Sequence, residues 1–518
     1  MSKKLLQFGL NREQPLAFIC SPRLGDTLIS LVTVNNLVRN GFVVDVYGDY
    51  AYQLKDWFSW ARIHAKITVE NAALLKQYSQ VLHMYDSPLS DELKKWHKNS
   101  VVLSDSLLYH LPQSMVDIQV QLCREELGLQ DVVRENNLKA LPGLIASKNP
   151  KRVIINPTSF LTRKNWPKNK FIKLAQILTQ RSFEVHFIVA PNEYQDWQDV
   201  EQYGFIVQQF NSLSAVASYL CEAAFFIGND SGLGHLASNL GVPTLSIILR
   251  KGVARQWRPS WAPNVTVLSP SWLNPRPIKE KLWKIFISVK RVLRGFERLY
   301  AHEFEDFFIN PDNFLKRPEF ILIKGDKRDS TMVFVATLKQ QRFVIKRYNV
   351  KNFWVMVKNI FRRSHAFYAW NNSYKLISLG INVPQPIAYY EKRHGIFYSE
   401  SYFIAEYVAG VRGCDYFAPS MPFLPAWKAV VENITDITRK LRQARLVHRD
   451  FQYGNMLIVD SKVYLLDLEH LNHYLKYNFL FNRSFNRDIQ HFLDFVRSNH
   501  VAYELFKAQF ITLESRIK

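Results

Sequence analysis

The sharpest chemical pattern in the chain is LVHRDFQYGNMLIV followed by VYLLDLEH. It places Asp450 and Asn455 at HRDxxxxN spacing and Asp467 at the end of a second apolar run. Phosphoryl transfer needs such a grouping. One carboxylate orients a hydroxyl and takes its proton, while an amide oxygen and a second carboxylate hold Mg2+ on ATP. Upstream, Lys346 in FVIKRY falls on what reads as the third strand of a sheet, where a lysine can reach nucleotide phosphates.

A second set of residues suits a different transfer. In SPRLGDTLISL, Gly25 and Asp26 stand where a strand turns into a helix. A carboxylate there can act as general base for an acceptor hydroxyl; alone, it reads first as an N-cap or first-turn residue that favours the helix dipole. NPTSFLTRKNWP offers Thr158, Ser159 and Lys164 after a strand, hydroxyls and a cation suited to cradle a pyrophosphate. Glu193 follows the strand FIVAP, where a carboxylate can grip ribose hydroxyls. In GNDSGLGHLASNLGVP, Asp230 and Ser231 close a strand. Gly232 and Gly234 there let the backbone approach a ligand, and a helix is predicted to begin at His235.

The elements that must position these groups follow from the apolar pattern. PLAFICS, FVVDVYG and VVLSD are short buried strands, and RLGDTLISLVTVNNLVRNG is a helix ending at Gly41. The pattern restarts after KNPKR with VIINPTS, KNKFIKLAQILTQRS, FEVHFIVAP, AVASYLCEA, AFFIGND and PTLSII. Strand–helix alternation of this kind predicts two parallel sheets covered by helices, split near residue 148, with ligands at the carboxyl ends of the strands. From Asn274 to Tyr300 the spacing of Ile278, Leu282, Phe286, Val289, Leu293 and Phe296 predicts an amphipathic helix. Lys279, Lys284, Lys290, Arg291 and Arg294 lie largely between them. Such a helix either packs its apolar face on a domain or lies on an anionic membrane. From His302 onward, EFILIKG, STMVFVATL and QRFVIKRY read as antiparallel strands ahead of a helical end, an α+β unit.

At 518 residues the chain exceeds one hydrophobic core. Its net charge of +22 suits a polyanionic partner, whether phosphorylated glycolipid, anionic membrane or nucleic acid. The absence of a zinc-finger or RNA-recognition signature argues against nucleic acid. Cys20, Cys123, Cys221 and Cys414 lie too far apart in sequence to suggest a zinc site or a disulfide framework. No apolar run reaches the ~18–20 residues that cross a bilayer. The start MSKKLLQFGLNREQP lacks the apolar core of a signal peptide, so a cytoplasmic protein is expected.

RLGDTL, RKNWP and GNDSGLGHLASNLGVP together resemble glycosyltransferase family 9, the heptosyltransferases of the lipopolysaccharide inner core, over the first ~270 residues. The resemblance implies a GT-B pair of Rossmann-like domains, at 1–148 for the acceptor and 149–272 for the donor, with 273–302 as helix or linker. It implies inverting transfer from ADP-heptose with no metal. Asp26 is then the base, and Lys164 lies on the donor phosphates. Thr158, Ser159, Asp230, Ser231, Gly232 and His235 complete the donor site, with Glu193 on the ribose. IILRKGVARQW departs from the family's usual turn, which bears on donor preference.

Residues 303–518 resemble the Kdo/heptose lipopolysaccharide kinases, through the HRD set, RRSHAFYAW…LGINVPQPIAYY and NRDIQHFLDF. That resemblance implies a protein-kinase-like fold using ATP and Mg2+. Lys346 lies on the phosphates, Asp450 is the base, and Asn455 and Asp467 bind metal. Two departures stand out. No glycine-rich loop surrounds Gly325, and no Asp or Glu occurs between Lys346 and Glu391. The partners implied are a Kdo–lipid A acceptor and the anionic inner-membrane surface, reached from the cytoplasm, with no specific protein partner. A transferase with an inactive kinase-like docking module, or one that glycosylates an adhesin protein, are the alternative readings.

Overall fold

The computed structural model describes residues 10–249, 251–269, 283–326, 329–338, 341–349, 362–394, 397–419, 425–474 and 478–515. Contacts divide the chain into two compact units, Met1–Leu299 and Tyr300–Lys518.

The first unit holds two parallel sheets. β1 (Leu16–Ile19), β2 (Val44–Tyr47), β3 (Arg62–His64), β4 (Gln80–His83) and β5 (Ser100–Val102) assemble in the order β3-β2-β1-β4-β5. β6 (Asn149–Asn156), β7 (Glu184–Ile188), β8 (Ile206–Gln208), β9 (Ala223–Asn229), β10 (Thr244–Ile248) and β11 (Asn264–Leu268) assemble as β11-β10-β9-β6-β7-β8. Central strands such as LAFI, AAFFIGN and TLSII are apolar on both faces because helices cover both faces of a parallel sheet. Strand order reverses between β1 and β4 and again between β6 and β9. The segments that carry Asp26, Thr158, Lys164 and Asp230 follow β1, β6 and β9 beside these switch points, where α/β sheets open a crevice.

One helix joins the two halves. Leu24–Arg39 is buried almost all round, from Leu24 to Leu37 with few breaks. It packs on the helices Met115–Glu125 and Gly232–Asn239. Residues of both sheets, including Leu16, Phe18, Leu28, Leu220, Phe226 and Leu236, therefore share one continuous core. The glycine-rich helix starts at Gly232, three residues before the His235 expected from sequence. Ser231, extended at φ −143°, ends the strand loop, and the helical turn begins with the glycines themselves.

Of the expected amphipathic helix, Ile278, Lys279 and Leu282 lie outside the described residues. Residues 283–286 are helical, the chain bends at 287–288, and a helix resumes at Val289–Tyr300. Its buried residues are Val292, Gly295, Phe296 and Leu299, so of the predicted stripe Val289–Leu293–Phe296 only Phe296 lies on the buried face. The bend shifts the helical phase. Phe296 packs edge-on against Phe183 and Phe225, and Gly295 sits close to Val267 and Leu245 of the second sheet. Packing on the domain thus occupies the apolar face, while Lys290, Arg291 and Arg294 remain exposed. Among the described residues no helix is long and apolar enough to cross a membrane.

In the second unit β12 (Phe320–Lys324), β13 (Thr331–Leu338), β14 (Gln341–Asn349), β15 (Pro386–His394) and β16 (Phe397–Glu406) form an antiparallel sheet ordered β12-β13-β14-β16-β15. The helix His365–Ser378 packs on it. A helical portion follows, built on Ala426–Gln443, Asn478–Val496 and His500–Ser515. It carries the short strands β17 (Val411–Arg412), β18 (Leu446–Val447), β19 (Met456–Val459), β20 (Lys462–Leu465) and β21 (Asn472–His473). β19 and β20 form a hairpin, and the segments on either side of it bear Asp450, Asn455 and Asp467.

Candidate functional sites

In the first unit two helix N-termini meet. A β-carbon on Gly25 would lie 2.9 Å from His235 Cδ2, and one on Gly232 would lie 2.8 Å from Leu24 Cβ. The absence of side chains at both positions lets Leu24–Arg39 and Gly232–Asn239 touch end to end, which brings two positive dipole ends to one place. Asp26, in the first turn of one helix, is half-buried and accepts a hydrogen bond from Ser21 Oγ at 3.1 Å. Burial pushes its carboxyl above the ordinary value; Ser21 and Arg23 oppose that, and the Asp230 charge adds to it. A carboxylate held this way is a stronger base than a solvated one.

Around the second helix start the expected donor residues assemble. Lys164 Nζ bonds Asp230 Oδ2 at 2.7 Å. Thr158 Oγ1 donates to Glu193 Oε2 at 2.8 Å, and the Ala190 N–H donates to the same oxygen at 3.2 Å. Ser231 Oγ donates to Asn156 Oδ1 at 2.9 Å, and Asn156 Nδ2 donates to the Ile188 carbonyl at 3.0 Å. Asn229 Oδ1 accepts from the Trp166 N–H at 3.0 Å, fixing the loop that carries Lys164. His235 is buried and driven toward its neutral form by that burial, against the pull of Asp230 and a hydrogen bond to the Trp257 backbone. Its Nδ1 has no hydrogen-bond partner among the described residues.

Ser159 stands apart from this group. Its hydroxyl donates to Leu161 O at 3.1 Å and bonds Asn165 Oδ1 at 2.6 Å, within its own loop. Asn156 and Asn229 were not singled out from sequence, although each ends a buried strand with a polar side chain, a departure from the apolar pattern that could have drawn attention. Tyr85 was missed as well. Its hydroxyl is buried with no partner among the described residues, near enough for the Asp26 charge to raise it after burial itself. Its ring lies 6.1 Å from Tyr109 and 6.5 Å from Trp257, an aromatic wall beside the candidate base.

In the second unit Lys346 projects from β14 and forms an ion pair with Asp467, which adopts a left-handed backbone (φ 56°) just after β20. Burial works against the Lys346 charge, and the Glu469 and Asp467 carboxylates outweigh it. Asn455 Nδ2 donates to Asp450 Oδ2 at 2.7 Å and to its backbone carbonyl at 3.1 Å, while Gln452 holds Oδ1 at 2.8 Å. Leu466 N–H donates to Asn455 O at 2.9 Å, tying the two segments together. Behind them buried His448 bonds the Leu466 carbonyl through Nε2 at 3.0 Å, and Asp488 accepts from the Arg449 N–H at 2.7 Å. Asp450, Asn455 and Asp467 thus flank the β19–β20 hairpin, and Lys346 joins them through its ion pair with Asp467. With its Nδ2 on Asp450, Asn455 has its amide oxygen left to ligate. That oxygen and the Asp467 carboxylate are hard donors that fit Mg2+. The β12–β13 turn at Gly325 is tight: φ is +84°, and a β-carbon would lie 2.4 Å from Thr331 O.

Comparison with known proteins agrees with this division. Residues 75–281 match glycosyltransferase family 9 (heptosyltransferase), and residues 316–500 match the lipopolysaccharide kinase (Kdo/WaaP) family. No curated protein matches the chain. Similar solved structures include a family 9 glycosyltransferase from Veillonella parvula DSM 2008, at 16% identity and TM-score 0.47, covering 56% of this chain and 99% of that one. The E. coli heptosyltransferase WaaC with ADP is similar at 14% identity and TM-score 0.45, covering 55% and 99%. The autoinhibited serine kinase domain of titin is similar at 14% identity and TM-score 0.21, covering 30% and 46%.

Proposed function

We propose that this chain, a glycosyltransferase family 9 domain joined to a lipopolysaccharide kinase family domain, transfers heptose from ADP-heptose to a Kdo–lipid A acceptor and phosphorylates a core sugar from ATP. The observation that carries the transfer reading is the meeting of two helix N-termini beside a half-buried Asp26 and the Lys164–Asp230 pair. Asp26 takes the proton of the acceptor hydroxyl as its oxygen bonds to the anomeric carbon. The bond from that carbon to the diphosphate breaks on the opposite side, inverting the centre and releasing ADP. Lys164 and the N–H groups at Gly232 stabilise the charge gathering on the leaving diphosphate. Glu193, steadied by Thr158, accepts the ribose hydroxyls. No metal is needed for these steps.

In the second unit Asp450 orients a sugar hydroxyl and accepts its proton as the γ-phosphoryl group moves from ATP to that oxygen. Lys346 holds the phosphates; Asn455 and Asp467 would hold Mg2+, which neutralises phosphate charge when bound. The +22 net charge suits a phosphorylated lipid acceptor at the cytoplasmic face of an anionic inner membrane. A second reading, a kinase-like domain that only docks the acceptor, draws on the helix His365–Ser378, which carries no acidic residue to pair with Lys346.

The test is transfer of γ-labelled phosphate from ATP to Kdo–lipid A with and without ADP-heptose, in wild type, Asp450→Ala and Asp26→Ala. Label that requires Asp450, with heptose transfer that requires Asp26, is the expected outcome. Heptose transfer unchanged in Asp26→Ala would remove the transferase mechanism. Heptose transfer with no label under either condition would leave the second unit as a docking module.

A further inference from the structure

Between β6 and the helix Lys168–Gln180 the segment 157–166 carries Thr158, Ser159 and Lys164. Its crest stands in solvent, with Phe160 96% exposed and Thr162 and Arg163 exposed beside it. A lysine on such a crest keeps one position only if the ends of the loop are fixed, because ordering a surface loop costs backbone freedom.

Both ends are fixed by one side chain. Asn229, the last residue of β9, is 1% exposed. Its Nδ2 donates to the Pro157 carbonyl at 2.5 Å, and its Oδ1 accepts from the Trp166 N–H at 3.0 Å. The two feet of the loop therefore meet on a single buried amide. The chemistry of the pair is selective. An amide offers a donor and an acceptor on separate arms, whereas a carboxylate only accepts and an aliphatic side chain does neither. Trp166 is anchored in its own right, since its indole N–H donates to the Ile287 carbonyl at 2.9 Å and its ring packs edge-on against Phe171. Inside the feet lies a second closure. Ser159 Oγ bonds Asn165 Oδ1 at 2.6 Å, and the Lys164 N–H closes a turn on the Leu161 carbonyl at 2.8 Å. Lys164 then meets Asp230, the residue that follows Asn229 in the chain. One residue holds the loop, and the next receives its cation.

From this geometry we infer that Asn229 is a positioning residue for donor binding, fixing the feet of the 157–166 loop so that Lys164 is delivered to the donor diphosphate. The inference rests on the transferase reading and deepens it. Asn229 is buried beneath the loop and has no surface to offer a substrate. Thr158, at the first foot, keeps its own bond to Glu193, so loss of Asn229 falls on the crest and on Lys164.

A double-variant cycle on the full-length chain tests this, read by calorimetric affinity for ADP in wild type, Asn229→Ala, Lys164→Ala and the double variant. Each single variant should weaken binding by about 10-fold, the scale of one charge-assisted contact. The double variant should bind no more weakly than Lys164→Ala, because a residue that acts through the lysine has nothing to position once the ammonium is gone. Losses that multiply, or an Asn229→Ala affinity equal to that of wild type, overturn the assignment. Hydrogen exchange gives the second readout. Amides of 159–165 should exchange faster in Asn229→Ala while those of β6 and β9 keep their wild-type rates. Unchanged exchange in the loop, or an equal rise in both strands, counts against a role in holding the loop. Asn229→Ser, whose hydroxyl can keep one of the two bonds, is carried through both measurements and decides the matter if Asn229→Ala does not fold. If the wild type binds no ADP, or Lys164→Ala binds it as tightly as wild type, the donor reading itself falls and the assignment with it.

Discussion

Gly25 and Gly232 are each denied a side chain by a neighbour, but by neighbours of different kinds, and this yields a substitution whose sign should reverse. The atoms nearest a β-carbon on Gly25 would be those of the His235 ring, at 2.9 Å from Cδ2, 3.4 Å from Cγ and 3.5 Å from Nε2. On Gly232 it would meet Leu24 Cβ at 2.8 Å and the Gly25 backbone nitrogen at 3.2 Å. Overpacking of this kind costs ~1–3 kcal/mol. Replacing a helical glycine by alanine contributes about 1 kcal/mol in the other direction. Gly25→Ala should therefore destabilise by ~0–2 kcal/mol in the native background. In His235→Ala the obstructing ring is gone, and the same substitution should stabilise by about 1 kcal/mol. Gly232→Ala has no such rescue, because Leu24→Ala keeps the β-carbon that obstructs it. Thermal unfolding of the full-length chain reads the cycle, at roughly 1.5–2 °C per kcal/mol for a unit of this size. If Gly25→Ala shifts the midpoint by the same amount with and without the His235 ring, the two helix ends do not meet as described.

Two further outcomes follow from buried carboxylates. Burial holds Asp26 above the ordinary carboxylate value, so the stability present below the unfolded value of about 3.9 is lost as pH rises through the raised one. Asp26→Asn should thus raise the unfolding midpoint at neutral pH, lose that advantage below about pH 4, and lower sugar transfer by ~10²–10⁴-fold; an advantage that persists in acid would contradict the assignment. Asp488, which accepts the Arg449 N–H, should cost ~1–3 kcal/mol when changed to Ala. Phosphorylation should drop while heptose transfer from the same preparation is unchanged, and a parallel loss of both activities would be the contrary result.

Much of the molecule was legible before its structure. The parallel sheets announced themselves because strands covered on both faces must be continuously apolar, as in AAFFIGN. The phosphoryl-transfer residues were legible because their spacing is fixed by the hairpin that bears them. What escaped depends on geometry that spacing does not encode. Asn156 and Asn229 look like ordinary strand ends until the fold sets one against Ser231 and the other against the Trp166 amide. The helix start at Gly232 was misplaced because glycine is a poor helix former, and only contact with Leu24 gives it a reason to be there. The buried face of Val289–Tyr300 was assigned out of phase because a bend at 287–288 resets the helical count. The missing acid in the helix beside Lys346 was visible as an absence.

The central helix Leu24–Arg39 also bears on how a transferase of this build turns over. A clam-shell opening of its two halves would pull that helix away from Gly232–Asn239 and wet the core they share. Exposing even four leucine-sized side chains costs ~6–12 kcal/mol, which makes a fully opened form rare although reachable within a catalytic cycle. Exchange at the rim avoids that cost. The segment from Ser159 to Asn165, with Phe160 almost wholly exposed and Lys164 tethered to Asp230 by a single ion pair, is the part that can exchange partners without disturbing the frame. Exchange at that tether would be sensitive to salt and to the charge at residue 230.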